Sequence, residues 1–302
     1  MTFTVMQQEL ADRLGLDYTV SANATRLKRW LNIIQQDMAS RWDFSWLRDR
    51  CIVQTVVEKT AGTVAIVDGS ATVTGTSTAF ASTDKRSFIQ FEGETNWYEV
   101  TFVASQVLTI SPAYEGTSNA LSTYTLRKVF YDLPSDLFQV FDVRQSNMPA
   151  KLECLGEWTL DLNQPDITTV SEPTGYYISR LNPDTAATSA KVYQIGFFPI
   201  PDAIYNIEIR YEKIATDLSA DADIALIPVP YHNVMVDGAE WLGRKFVNSP
   251  KEGECKQAYE YAIKQMVERD NENNDYFPVL QASDAQPTSR FQPFPSTFEQ
   301  PQ

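Results

Sequence analysis

At 302 residues, with 43% hydrophobic and 21% charged residues, the chain has the proportions of a folded globular protein built from more than one structural module. A formal charge of −14 argues against a surface that grips nucleic acid through phosphates, which needs clustered Lys and Arg. No run approaches the roughly 18 apolar residues of a membrane-spanning helix, and the start MTFTVMQQEL lacks the basic and apolar regions of a secretion signal.

Thr4 and Gln7 have capping-box spacing, and Met6, Leu10 and Leu14 share one helical face before Gly15, a natural stop. A short first helix is expected there. The stretch Ser21–Arg50 follows, with Leu27, Trp30, Leu31, Ile34, Met38 and Trp42 recurring at steps of three and four residues. Ser21 or Asn23 is placed to cap this second helix, and the two helices should pack as a hairpin. Trp46 and Leu47 extend the apolar surface, so three of the six tryptophans fall between Trp30 and Trp46. Most of that face reads as core. Its aromatic and Arg residues also suit a subunit surface, because Arg26, Lys28, Arg29, Arg41, Arg48 and Arg50 outnumber Asp37, Asp43 and Asp49 in an otherwise acidic chain.

From Cys51 the period changes to strands and turns. Gly62–Val67 and Ala71–Gly75 flank Asp68-Gly69, a hairpin signal. Ser87–Phe91, Trp97–Val103, Val107–Ser111 and Thr123–Tyr131 are further expected strands. Residues 60–122 read as a small β-barrel or sandwich module inserted into the main body. In DLPSDLFQVFDV, Pro134 should end a strand and Ser135-Asp136 start a short helical turn, and Gly156–Asn163 reads as another short helix before a loop at 165–174.

Strands are expected at Gly175–Arg180, Lys191–Phe198 and Ala203–Lys213. The last alternates Tyr205, Ile207, Ile209 and Tyr211 with Ile204, Asn206, Glu208 and Arg210, so one sheet face should be buried and the other solvated. Pro228 and Pro230 introduce a third helix with the stripe Tyr231, Met235, Gly238, Leu242 and Phe246. After Pro250, a fourth helix over Lys251–Asn271 carries Cys255, Tyr259, Ala262 and Met266, giving an antiparallel pair. Residues 275–302 have no period and are rich in Gln, Pro and Ser, so they should be disordered in an isolated subunit, yet they hold Tyr276, Phe277, Phe291, Phe294 and Phe298, as a segment that orders on a partner would.

Chemistry-bearing motifs are sparse. His232 is the only histidine, so a multi-histidine metal site is excluded, and its place at a helix start reads as structural or surface. Asp217, Asp221 and Asp223 lack the glycine and terminal Glu of a calcium loop and read as a solvated loop. There is no P-loop, GxGxxG or GxSxG. Cys51, Cys154 and Cys255 lie about a hundred residues apart and read as unpaired buried thiols of a reducing compartment, with no cofactor expected. Trp97, Tyr98 and Tyr114 of the β-module read as core and cross-strand pairs rather than as a sugar platform. The 39 Asp and Glu residues leave a carboxylate pair for glycoside hydrolysis open as a different class of function.

Several stretches resemble the head-to-tail adaptor (neck, or connector) proteins of tailed bacteriophages. They are RLKRWLNIIQQDMASRWDFSWL, ATVTGTSTAF, FIQFEGETNWYEVTFVASQVLTISPAYEG, LPSDLFQVFDV and IPVPYHNVMVDGAEWLGRKF, spread over residues 20 to 270. The resemblance implies a non-enzymatic virion protein at the neck, made and assembled in the host cytoplasm. It implies a ring of twelve subunits beneath the portal protein, with tail or nozzle proteins on the other side and double-stranded DNA passing through without sequence-specific contacts. In short-tailed phages similar proteins extend their C-terminal segment against the portal, which suits Tyr276, Phe277, Phe291, Phe294 and Phe298. On that reading Arg26, Arg29, Trp30 and Trp46 face a neighbouring subunit or the portal. The alternatives are a virion-associated hydrolase of cell walls or carbohydrate, and a carbohydrate-binding tail component using residues 60–122.

The expected fold is α+β. A four-helix main body with a β-sheet spans residues 1–59 and 123–274, the β-module residues 60–122, and an extended tail residues 275–302.

Overall fold

The computed structural model describes residues 1–146, 148, 150–156, 168–181 and 192–274. The fold is mixed α+β. Four α-helices, α1 (Phe3–Leu14), α2 (Ser21–Arg41), α3 (His232–Phe246) and α4 (Glu252–Asn274), come from the two ends of the described chain. They close around one core, to which α1 gives Phe3, Met6 and Leu10, α2 gives Leu27, Leu31, Ile34 and Met38, α3 gives Met235 and Ala239, and α4 gives Tyr259, Ile263 and Met266. The expected helical stripes supply much of this core by burial of apolar area, with Ala239 and Ile263 added and Ala262 only half-buried. Gly238 of α3 faces Tyr259, and Glu240 reaches Cys255, so α3 and α4 run antiparallel as expected.

Gly15 ends α1 in the left-handed region (φ 66°), its N–H turned to the carbonyls of Ala11 and Asp12. The N-terminal caps differ from expectation. Thr2, not Thr4, precedes α1 and makes no side-chain cap. The first-turn N–H groups of Phe3 and Thr4 bond instead to the carbonyls of Asp223 (2.8 Å) and Asp221 (3.2 Å), so a distant loop satisfies them. Val20 precedes α2, also without a side-chain cap. Asn23 is spent on the Asp17 carbonyl (3.0 Å). Helix α2 stops at Arg41, leaving Trp42 extended and 40% exposed rather than on the buried face.

Strand β1 (Arg48–Gln54) leads away from the helices. Between it and β9 (Phe130–Asp132) lies a nearly closed seven-stranded barrel. Its strands are β2 (Thr63–Ile66), β3 (Thr72–Thr76), β4 (Phe88–Phe91), β5 (Tyr98–Ala104), β6 (Val107–Ser111), β7 (Asn119–Ser122) and β8 (Tyr124–Arg127), in the order β7-β2-β3-β6-β5-β4-β8. Asp68-Gly69 turns the β2–β3 hairpin as expected, with Gly69 at φ 74°. The barrel has its own core, including Val64, Val73, Ile89, Val100, Leu108 and Leu126. The backbone of Lys59 pairs with Leu126 and lies along the free edge of β8. The single strand expected over Thr123–Tyr131 is in fact two, because Tyr124–Arg127 pairs with β4 while Phe130–Asp132 pairs with another sheet.

The remaining strands are β10 (Leu137–Gln145), β11 (Glu153–Cys154), β12 (Val170–Ser171), β13 (Gly175–Leu181), β14 (Tyr193–Phe198), β15 (Ile200–Pro201) and β16 (Asn206–Lys213). A three-stranded antiparallel sheet runs β1-β16-β10, and a four-stranded sheet runs β11-β13-β14-β9. The two share a core of Tyr131, Val143, Ile195, Phe197, Ile207, Ile209 and Tyr211. The alternation read in β16 is present: Ile207, Ile209 and Tyr211 are buried, and Asn206 and Arg210 are exposed. Ser135 and Asp136 form a turn, and β10 begins directly after them where a helical turn was expected. From residue 157 the expected helix at Gly156–Asn163 lies outside the described residues. Cys51 and Cys255 are only partly buried and Cys154 is exposed, which corrects the expectation of buried thiols. Among the described residues no helix is long and apolar enough to cross a membrane.

Candidate functional site

Two exposed aromatic surfaces stand out, one at each end of α2. At its start Arg26 and Arg29 are exposed and Trp30 is half-buried, one helical turn apart. The last turn of α3 brings Phe246 to them. The guanidinium of Arg26 sits 5.2 Å over the Phe246 ring, and Trp30 meets the same ring at 5.9 Å, tilted by 54°. Phe246 is 60% exposed, which corrects its place on the buried stripe: Met235 and Gly238 are buried, Leu242 is half-buried, and the last turn leaves the core. Arg26 and Arg29 make no ion pair among the described residues. Neighbouring cations do, with Lys28 held by Asp221 (3.1 Å) and Arg41 by Asp37 (2.8 Å) and Glu260 (2.6 Å). The corner thus offers two uncommitted guanidinium groups beside an exposed ring.

Trp46 is not part of that corner. Trp30 and Arg41 alone are separated by roughly 16 Å of helix, and Trp46 lies beyond, stacked on buried Phe44 at 5.2 Å. Tyr276, Phe277, Phe291, Phe294 and Phe298 lie outside the described residues.

The second surface is a trough where the end of α2 meets the outer face of the three-stranded sheet. One part is a cleft of about 620 Å³ lined by Asp43, Arg48, Arg50, Phe141, Lys151 and Arg210, among others. It continues past Asp43 into a depression of about 560 Å³ lined by Arg41, Trp42, Phe138 and Glu212. The aromatic side chains are placed by two irregularities in β10. The β10–β16 register shifts between Leu137 and Gln139 and again between Val140 and Asp142, so Phe138 and Phe141 are the extra residues of two β-bulges. They are 62% and 41% exposed. In a regular strand, residues three apart point to opposite faces. Two bulges put both into solvent.

Three carboxylates of the trough are held by cations. Asp43 pairs with Arg48 (3.1 Å), Asp49 with Lys213 (3.0 Å), and Asp142 with Arg144 (2.7 Å). The Arg50 backbone N–H, then Lys213, keeps Asp49 below its usual range. Burial, then the charge of Asp43, raises Glu212. Arg50 itself makes no ion pair among the described residues. Cys51, behind this sheet, is pushed up to about 11 by burial and by Asp136 and Asp49, so it is a thiol and not a nucleophilic thiolate.

The other singled-out residues have structural surroundings. His232 is 1% exposed, with Nε2 2.9 Å from the Ile227 carbonyl and Nδ1 2.7 Å from the Met1 amino group. Asp223 accepts the N–H groups of Ser219 and Ala220, both at 2.8 Å, and Asp217 is bonded by Gln36. Among the described residues no group of three His, Cys, Asp or Glu side chains could hold a metal ion. Tyr98 and Tyr114 are buried at the barrel core, in contact with each other and with Phe91, as read. Trp97 is half-buried beneath Arg127 at 5.0 Å.

Sequence reasoning missed the trough. Its one signal lies in Leu137–Val143, where apolar residues at 137, 138, 140, 141 and 143 break the strict alternation of a regular strand. No curated protein matches the chain. The family model for the SU10 adaptor protein matches residues 1–282, and the chain accordingly belongs to that family of phage head-to-tail adaptors.

Proposed function

We propose that this adaptor is a ring subunit that joins the portal protein to the tail of the virion and continues the channel for DNA. The observation that carries the reading is the family match over residues 1–282, which implies a structural role and contacts with other virion components. Twelve copies form the ring, and tail or nozzle proteins dock on the side away from the portal. A chain of formal charge −14 lets double-stranded DNA slide past, since like charge denies it the phosphate contacts of a grip. Heterologous contact between unlike surfaces of neighbouring copies is what closes a ring. Unlike surfaces at the two ends of α2 suit that geometry.

In this proposal Arg26, Arg29 and Trp30, with Phe246, meet acidic and apolar groups of a neighbour or of the portal, as does Trp46. Tyr276, Phe277, Phe291, Phe294 and Phe298 reach the portal. Residues 60–122 form an inserted module between residues 1–59 and 123–274. Electron microscopy of the purified protein, alone and mixed with portal, tests the reading. Rings seated on the portal are expected, and persistent failure both to form rings and to bind portal would overturn it. Charge reversal at Arg26 and Arg29 should weaken assembly while leaving the subunit folded.

A further inference from the structure

We infer that the trough of Trp42, Phe138 and Phe141 is covered, in the free subunit, by residues 275–302 of the same chain. The inference stands on the trough and the course of the chain and does not depend on the ring reading.

Three observations converge. The first is where the described chain ends. Helix α4 runs to Asn274, and one turn earlier Asp270 accepts the Ser45 N–H at 3.0 Å and the Ser45 hydroxyl. Ser45 is two residues past Asp43, which lines both parts of the trough. The C-terminal segment therefore departs one helical turn beyond a tie to Ser45, which is close in the chain to the trough's lining, and three extended residues span roughly 10 Å from Asn274 to Phe277.

The second is the trough's chemistry. Trp42, Phe138 and Phe141 are 40%, 62% and 41% exposed. Phe141 lines one part of the trough and Trp42 and Phe138 the other, and exposed apolar surface of this kind marks a face that is covered in use. Bulges leave an unpaired residue and a disrupted ladder, and this sheet carries two that both turn a Phe outward.

The third is complementarity. The departing segment opens as Asp-Tyr-Phe-Pro-Val-Leu, a carboxylate followed by apolar and aromatic residues, and holds three further phenylalanines. Arg50 on the trough wall has no carboxylate partner among the described residues. Asp275 supplies one, while Tyr276, Phe277 and Leu280 cover the exposed rings. Ordering an attached segment costs less than capturing a free one, because its effective concentration is fixed by the tether.

Trypsin reports on this directly, since Arg290–Phe291 is a cleavable bond inside the segment. The full chain is compared with its Phe138→Ser/Phe141→Ser double variant, both changes falling on exposed side chains. Release of fragment 291–302, followed by mass spectrometry, should be about tenfold faster in the variant, because cleavage tracks the undocked population. The wild-type rate should not change on dilution. Equal rates in the two proteins would overturn the inference. So would a wild-type rate that rises on dilution, which would mean that the segment lies in another copy. A second measurement removes residues 275–302: binding of an apolar dye should rise in the truncated chain and fall again when the same two phenylalanines are replaced. A rise that survives their replacement would count against this trough. Neither measurement involves the portal, so a negative result leaves the proposed function untouched.

Discussion

The hydroxyl of Tyr259 donates to Asp37 Oδ2 at 2.7 Å and ties α4 to α2 through a side chain that is fully buried. Asp37 also holds Arg41 at 2.8 Å, and the Arg41 guanidinium lies 5.4 Å over the Tyr259 ring while reaching Glu260. Burial and the Asp37 charge push the phenol far above its usual range, so it stays a donor. Tyr259→Phe deletes a hydrogen bond to a charged acceptor and should cost about 2 kcal/mol, read as a lower urea midpoint with unchanged slope. The Tyr259→Phe and Arg41→Ala effects should be non-additive, because both act on Asp37. Strict additivity would show that the three groups do not act as a unit.

Gly238 is in the middle of α3, where alanine is ordinarily the better helix former. A Cβ there would lie 2.7 Å from Tyr259 Cε2 and 2.8 Å from Ile34 Cγ2. The propensity gain is about 1 kcal/mol, and overpacking a filled core costs about 1–3 kcal/mol. Gly238→Ala should therefore lower stability by about 1 kcal/mol net. Gly253, in the first turn of α4, has nothing within 4 Å of the same position. Gly253→Ala should raise stability by about 0.5 kcal/mol. Paired thermal melts check both, and equal shifts in the two variants would remove close approach as the reason for Gly238.

These positions show what the sequence could and could not reveal. Leu27, Leu31, Ile34 and Met38 announce a helix face because α-helical periodicity needs no partner to be visible, and Ile207, Ile209 and Tyr211 announce a strand in the same way. Trp42 and Phe246 continue the helical spacing yet are exposed, because where a face leaves its core depends on what packs beside it. Thr4, Ser21 and Asn23 are good caps by type. Caps are interchangeable with any acceptor, and for α1 the loop at Asp221 and Asp223 arrives from over two hundred residues away. The corner of Arg26, Arg29 and Trp30 was legible from local charge excess. The trough was not, since a bulge is a relation between two strands and neither strand carries it alone.

Lys59 Nζ lies 2.8 and 2.7 Å from the two oxygens of Asp84, which is 4% exposed and also accepts the Ala81 N–H at 2.7 Å. This pair pins the segment before β2 to the loop after β3. Lys59→Met keeps the aliphatic stem and removes the ammonium, leaving a buried carboxylate without its cation, a change of about 3 kcal/mol. The barrel core is separate from the helical core, so the loss should be local. Hydrogen exchange should accelerate in residues 79–91 and leave α2 and α4 unchanged. Acceleration spread evenly over the chain would mean that the two cores unfold as one. An unaffected barrel would mean that the ion pair is not what holds the loop.

His232 is the only histidine, and its burial gives the stability a pH dependence below neutrality. Burial lowers its pKa from the usual value, the Ile227 carbonyl opposes that shift, and the Met1 ammonium adds to it. The folded chain therefore refuses a proton that the unfolded chain accepts at about pH 6.5. Where the unfolded state binds more protons, stability rises with pH. It should accordingly fall as pH drops below about 6.5, and flatten once the folded imidazole also titrates. Glu212 works in the opposite sense, because burial raises its pKa and stabilises the folded state as pH falls. The informative quantity is thus the difference in slope between wild type and His232→Gln, from urea midpoints taken at pH 7.5 and 5.5. Wild type should lose more stability than the variant over that interval. Parallel profiles would show that His232 titrates alike in both states, and its contacts with Ile227 and Met1 would then have no bearing on the pH dependence.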